Sequence, residues 1–332
     1  MKFLIAGLGS IGRRHFRNLI SLGENDIVLL RTRKATLPDD ELAGYPVEID
    51  LREALRKHKP EAVIVSNPTA FHLDVAIPAA ETGCAILLEK PISHSTQRLD
   101  QLEEAVRKSG AKVLVAFQFR FHPGLLRAKQ LIEAGEIGRI ISAHVHFGEY
   151  LPAWHPWEDY RKGYAARADM GGGVVLTQCH ALDYLPWLVG KVMSVWGFTG
   201  KLSDLEVDVE DTAKIDLRFS SGALGSLHLD YNRQPPVHTF DIAGTQGTIK
   251  WDLADGATRI YRAEKKDWDV YPLPAGWERN VMFMEQMKHF LAVARGEMEP
   301  SCTLADGIRV QRLVEAVHES QRSGCAIDLR KD

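Results

Sequence analysis

Residues 3–12 read FLIAGLGSIG, and this stretch constrains the chain more than any other. Phe3, Leu4, Ile5 and Ala6 form an unbroken apolar run, the pattern of a short strand buried on both faces. Gly7, Gly9 and Gly12 then give G-x-G-x-x-G, and Phe16, Leu19 and Ile20 recur at helical spacing before Gly23. In a strand–turn–helix of this kind the first glycine makes the turn and the second lets a phosphate reach the backbone. The third lets the helix pack against the strand. Uncapped N–H groups and the positive end of the helix favour a diphosphate there. Gly7, Gly9, Ser10, Ile11 and Gly12 are therefore expected to hold a dinucleotide.

The next hundred residues repeat the rhythm. Apolar runs at 27–30 (IVLL), 62–65 (AVIV), 85–88 (AILL) and 113–116 (VLVA) alternate with helical stretches at 51–58, 71–82 and 95–109. Such alternation predicts an α/β fold, a doubly wound parallel sheet with right-handed crossovers. A chain of 332 residues exceeds one ordinary core, and a first domain is expected over 1–121. Beyond Pro123 the pattern changes. A helix is expected over 125–134. Residues 212–219 alternate strictly, with Ala213, Ile215, Leu217 and Phe219 on one face, and 223–231 repeat the pattern. That predicts, over 122–332, an α+β domain whose largely antiparallel sheet is covered on one side. Helices at 174–189, 281–295 and 304–322 are expected to supply the cover, and proline-rich 268–277 reads as a loop.

A net charge of −3 offers no footprint for nucleic acid or an anionic membrane. No stretch has the length of a membrane span, and MKFLIAG lacks the build of a signal peptide. Cys84, Cys179, Cys302 and Cys325 lie far apart with no C-x-x-C, which suits reduced thiols in a cytoplasmic protein.

Chemistry-bearing residues collect where parallel strands end. After 27–30 an acid would hold an adenosine ribose, but the chain has Arg31, Thr32 and Arg33, which suit a 2′-phosphate. NADP is thus expected ahead of NAD. Asn67, Pro68, Thr69 and His72 follow the next strand, and Glu89, Lys90 and Pro91 the one after. All lie at the sheet edge that binds ligands. Lys90 should stand near the nicotinamide half, with Glu89 as a cofactor contact or an ion-pair partner. Farther on, Gly171–Gly173 precede Thr177, His180 and Asp183, which fall three apart on one face of a 174–189 helix. The glycines would admit substrate or cofactor to the backbone. His180 is the natural proton acceptor for an alcohol, and Asp183 is a candidate substrate contact. Arg120 and the loop residues His155, Trp157, Asp159, Tyr160 and Arg161 suit a polyhydroxylated substrate. His144 and His146 share a strand face, but no further ligand stands at fitting spacing, so a structural pair and no metal are expected.

Taken together, Gly7–Gly12, Asn67-Pro68-Thr69 with His72, Glu89-Lys90-Pro91, Arg120-Phe121-His122-Pro123, Gly171–Gly173 with His180, and Gly244-Thr245-Gln246-Gly247 resemble the Gfo/Idh/MocA oxidoreductases. The resemblance covers nearly the whole chain. It implies a Rossmann domain and an α+β domain, with Lys90 and His180 as the catalytic pair. It also implies an NAD(P)-dependent oxidation or reduction of a sugar, sugar acid, inositol or nucleotide sugar, and a homodimer or homotetramer through the open sheet. Residues 154–162 resemble the cell-surface sugar biosynthesis branch. Many members have Asp four residues before the catalytic His, where this chain has Leu176, so Thr177, three before, or Asp183 is expected to orient His180 instead. Two alternatives stand beside this reading: a glycosidase on the same fold that retains its NAD, and a non-catalytic dinucleotide sensor.

Overall fold

The computed structural model describes residues 1–31, 37–38 and 40–330. The chain divides into two compact units. One comprises Met1–Gln118, Asp169–Gly171 and Arg279–Gln311, the other Phe119–Ala168, Gly172–Glu278 and Arg312–Asp332. The first unit is thus not one continuous block. A simple cut at 121/122 leaves out residues 279–311, which return to it because they pack there: the helix over 280–294 lies against the first helix and the strand 85–88.

In the first unit β1 (Phe3–Ala6) leads through the glycine turn into α1 (Ser10–Ser21), followed by β2 (Ile27–Leu30), β3 (Val47–Glu48) and α2 (Leu51–His58). Then come β4 (Ala62–Val65), α3 (His72–Glu81), β5 (Ala85–Leu88), α4 (Leu99–Ser109) and β6 (Val113–Val115). Among the described residues the strands form one parallel sheet ordered β3-β2-β1-β4-β5-β6. β1, β4 and β5 are fully buried, as their apolar runs require. The order reverses between β1 and β4, and a sheet of this kind binds ligands at that point, outside the carboxyl ends of its strands. The helix expected from residue 95 starts only at Leu99, because Arg98 takes a left-handed φ of 65°.

The second unit opens with α5 (Pro123–Glu133) and β7 (Ile140–Tyr150). It continues through α6 (Val174–Thr177), α7 (His180–Val189), β8 (Val192–Gly200), β9 (Thr212–Phe219), β10 (Leu224–Asp230) and β11 (Asn232–Gly244). β12 (Gly247–Asp252), β13 (Thr258–Arg262) and β14 (Asp267–Tyr271) follow. The 280–294 helix, α8 (Asn280–Ala294), belongs to the first unit. α9 (Leu304–Ser323) passes from one unit to the other, and β15 (Ile327–Asp328) ends the described chain. The sheet runs β14-β13-β12-β11-β7-β10-β9-β8-β15, antiparallel except where β7 meets β10. Its alternation is as expected: Ala213, Ile215, Leu217 and Phe219 are buried under helices, while Lys214, Asp216 and Arg218 face outward. Phe198 is 58% exposed on the same open face.

Two expectations are corrected. Residues 174–189 are two helices, not one, because Gln178 leaves the helical region at φ −99°, ψ 24°. Residues 268–271 are strand, not loop: Trp268 pairs with Tyr261 across β13 and β14, and the prolines at 272 and 274 fall just after it. Among the described residues no helix is long and apolar enough to cross a membrane.

His122 caps α5, its Nδ1 accepting the Gly124 N–H at 3.0 Å, while Trp251 and Trp277 meet its ring edge-on. Burial holds this imidazole down at about 4, against an ordinary 6.5. A proton on it would also displace the cap. Because the folded-state value lies below the unfolded one, its contribution is complete above about pH 6.5 and is lost as pH falls through about 4. The loss should total about 3 kcal/mol. His122→Asn keeps a capping oxygen without the titration, so chemical denaturation across this range should show a flatter pH dependence. Identical profiles for the two proteins would refute the assignment.

Candidate functional site

The dinucleotide turn is built by contact. Gly7 has φ +92°, and a Cβ there would meet the Asn67 nitrogen at 2.4 Å. A Cβ on Gly12 would lie 2.0 Å from the Gly7 carbonyl oxygen and 2.8 Å from Ser66 Oγ. Ser66 Oγ donates toward the carbonyls of Ala6 and Gly7 at 3.1 and 2.9 Å, binding the ends of β1 and β4 together. A Cβ on Gly9, by contrast, would meet nothing within 4 Å. α1 has Gly9 as its N-cap, no side-chain cap and no acid in its first turn. Its positive end is therefore open on the side where Gly9 leaves space, and these residues fit a diphosphate.

Other nominated residues of this unit support the turn from behind. His72 is buried between two strand exits, with Nδ1 2.9 Å from the Pro91 carbonyl oxygen and Nε2 2.8 Å from that of Asn67. Burial pushes its ring below the ordinary range, and the Glu89 carboxylate pulls the other way. His72 thus positions the Asn67 and Lys90–Pro91 segments, and Thr69, three residues earlier, is also buried. Glu89 is buried too, with Oε1 2.7 Å from Nε2 of His15 on α1. Its hydrogen-bond partner is the histidine three residues beyond Gly12. Lys90 is half-buried at the carboxyl end of β5, and its peptide bond to Pro91 is cis. Arg31 is nearly buried, its N–H donating to the Glu48 carbonyl at 3.0 Å. Thr32 and Arg33 lie outside the described residues.

In the second unit His180 begins α7 and is 4% exposed. Phe119 stands edge-on to its ring at 4.9 Å, Phe147 lies 6.3 Å away, and His238 stacks on Phe147 at 3.9 Å. With the chain broken at Gln178 and Cys179, the expected stripe of Thr177, His180 and Asp183 is not one helical face. The Thr177 hydroxyl donates to the Gly173 carbonyl at 2.9 Å and also meets the Tyr231 hydroxyl. Asp183 is held by Arg120, whose Nε and Nη2 reach its two oxygens at 3.0 and 2.6 Å, and both side chains are buried. The three glycines answer to packing. A Cβ on Gly171 would strike Thr69 and His94 side chains at 2.9 Å, one on Gly172 the Tyr164 carbonyl oxygen at 2.5 Å, and one on Gly173 the Glu210 carboxylate at 2.5 Å. They do not open the backbone to a ligand in the way the sequence suggested.

Residues 1–117 match the family described as "Oxidoreductase family, NAD-binding Rossmann fold", and residues 125–250 match "GFO/IDH/MocA C-terminal domain". The chain belongs to the Gfo/Idh/MocA oxidoreductases. Levoglucosan dehydrogenase from Pseudarthrobacter phenanthrenivorans is 27% identical over 328 residues, covering 84% of this chain and 83% of that protein. D-xylose 1-dehydrogenase (NADP(+)) 2 from Haloferax volcanii is 25% identical over 336 residues, 99% of this chain and 100% of the other. A solved structure of levoglucosan dehydrogenase in complex with NADH superposes with a TM-score of 0.85 at 24% identity, covering 99% of each chain. At that identity the likeness is one of fold. This Gfo/Idh/MocA oxidoreductase accordingly has a Rossmann unit for a nicotinamide cofactor.

The loop 154–162 is polar but largely self-satisfied. Arg161 donates to both Asp159 oxygens at 2.8 and 3.0 Å and to Glu206 at 2.9 Å. The Tyr160 hydroxyl accepts the Glu206 N–H at 3.1 Å. Trp157 is 61% exposed and 5.1 Å from the His155 ring, whose buried Nδ1 has no hydrogen-bond partner among the described residues.

The Arg120–Asp183 pair carries its own test. Asp183→Ala leaves a guanidinium buried beside apolar groups and should cost about 3–5 kcal/mol of unfolding free energy. Urea denaturation measures it. A loss below about 1 kcal/mol, the scale of an exposed pair, would show that the pair is solvated.

Proposed function

We propose that this protein is an NAD(P)-dependent dehydrogenase or reductase acting on a secondary alcohol of a sugar-like polyol. One observation carries the reading. Lys90 leaves β5 at the same sheet edge as the glycine turn after β1, two strand spacings away in the order β1-β4-β5, or about 10 Å. A turn shaped for a diphosphate and a half-buried amine thus share one edge of one unit. When bound there, the nicotinamide cofactor supplies the hydride acceptor or donor. Gly7, Gly9, Ser10, Ile11 and Gly12 would hold its diphosphate, and Asn67 and Pro68 would border it.

The chain's own groups handle the proton. His180 accepts the hydroxyl proton at an imidazole nitrogen during oxidation and returns it during reduction. Lys90 assists by polarising the substrate oxygen or relaying the proton. The aromatic walls around His180 exclude water from its ring. Thr177 acts by fixing the segment before α7, through Gly173 and Tyr231.

A neutral substrate is favoured over a sugar acid. Arg120 and Arg161 are each matched to carboxylates of the chain, so neither has a guanidinium to spare for an anionic group. His155, Trp157 and the open loop around them suit hydroxyl-rich rings. We also propose NADP ahead of NAD, on the charge of Arg31 and Arg33, a cytoplasmic location, and a homo-oligomer through the open sheet, whose exposed Trp196 and Phe198 stack on each other.

His180→Ala and Lys90→Ala should each retain dinucleotide binding while turnover on the best sugar or cyclic polyol falls about 100- to 10,000-fold. The double variant should lose much less than the product of the two, read as absorbance of reduced nicotinamide. Normal turnover in folded His180→Ala would place the chemistry elsewhere. Net production of free reduced cofactor also separates a dehydrogenase from a glycosidase that retains NAD or from a sensor. Arg33→Ala should weaken NADP by about 1–3 kcal/mol and leave NAD nearly unchanged in fluorescence titration. Equal losses would show that this residue does not read the phosphate.

A further inference from the structure

A cluster on the open face of the second unit's sheet is used by none of the chemistry above. His146 on β7 stands directly opposite His228 on β10, in the parallel pairing of an otherwise antiparallel sheet. Asp230, two residues beyond His228, returns to the same face. Oδ2 of Asp230 lies 3.1 Å from His228 Nε2 and 3.4 Å from His146 Nε2. The three ligand atoms all fall within 4.8 Å of one another. Two imidazoles and a carboxylate bound to one tetrahedral zinc would hold their donor atoms about 3.3 Å apart, so two edges of that figure are already in place.

The surroundings favour the arrangement. Gly148 is the register partner of Asp230, and a Cβ there would strike Oδ2 at 2.5 Å, so the missing side chain gives the carboxylate room to lean toward the rings. The Asn232 N–H donates to the other oxygen, Oδ1, at 3.0 Å and fixes the carboxylate. In the single chain the two histidine side chains keep 30% and 25% exposure. His144, two residues earlier, is committed instead to the Ser226 hydroxyl at 2.6 Å. Lys214 stands opposite His228 on β9, and Asp216 and Asp241 face the same side.

We propose that His146, His228 and Asp230 form a site for one divalent transition metal, zinc fitting best, bound through the two Nε2 atoms and Asp230 Oδ2. The mixed nitrogen and oxygen set suits zinc, nickel or cobalt rather than magnesium or calcium. The site would clasp β7 to β10, and a tetrahedral ion there takes one further ligand. The sequence reading saw His144 and His146 as a pair without further ligands. The missing ligands stand more than eighty residues along the chain, brought in by strand register.

The test is calorimetric titration of the chelator-stripped full chain with zinc near neutral pH, with cobalt absorption reporting tetrahedral geometry. One zinc per chain should bind and raise the thermal midpoint. His146→Ala and His228→Ala should each weaken zinc at least about tenfold, since even outer-shell partners are worth that much. His144→Ala should leave it unchanged. Should an alanine variant fail to fold, His228→Gln removes the ligand nitrogen and retains polar bulk. The proposal fails if the unaltered protein shows no saturable zinc binding, or if a folded variant lacking both histidines binds it as well as the unaltered protein.

Discussion

Closeness of backbone at residues 7 and 12 is the constraint on which the first unit depends. The Gly7 carbonyl occupies the place a side chain at 12 would need, and the Asn67 backbone occupies the place a side chain at 7 would need. Together the two contacts bring the start of α1, the end of β1 and the end of β4 to one point, which the strand order makes the switch point of the sheet. Gly9 has the opposite character, with nothing within 4 Å of the place its side chain would take. The same short motif therefore contains glycines present because protein is near and a glycine present because protein is absent.

Carboxylates govern much of the rest. Glu89 meets His15, Asp183 meets Arg120, Asp159 and Glu206 meet Arg161, and Glu41 meets Arg13. An ionised group taken from water needs a partner or loses stability. Several of these residues attract attention in the sequence because they are charged or titratable and lie near functional motifs. In the fold their charges are largely turned toward one another. What stays open at the glycine turn is the space beside Gly9, where a Cβ would meet nothing within 4 Å.

Most strands of the first unit were legible because an apolar run between turn residues has few other uses, and 3–6, 27–30, 62–65 and 85–88 match residue for residue, whereas the two-residue β3 was missed because it is too short to show a run. Residues 212–219 were legible through period-two alternation. Local dihedrals were less so: nothing in LTQCH announces that Gln178 breaks a helix, and Arg98 gives no warning of its left-handed turn. Least legible were the long-range partners. His15 and Glu89 are 74 residues apart and Arg120 and Asp183 are 63 apart. A signal for the first did exist, a histidine one helical turn past Gly12, on the face that Gly12 brings to the sheet.

Arg13 has one more consequence. It is buried, and its guanidinium donates to the carbonyls of Leu8, Leu37 and Pro38 as well as to Glu41. The chain that follows β2 is thus anchored at both ends, by the Arg31 N–H on Glu48 and by residues 37 and 38 on the guanidinium. For protein engineering this ties the helix that carries the glycine turn to residues 37 and 38. A change that moves either carbonyl leaves a buried guanidinium short of an acceptor, so alterations near these two positions reach α1 through Arg13.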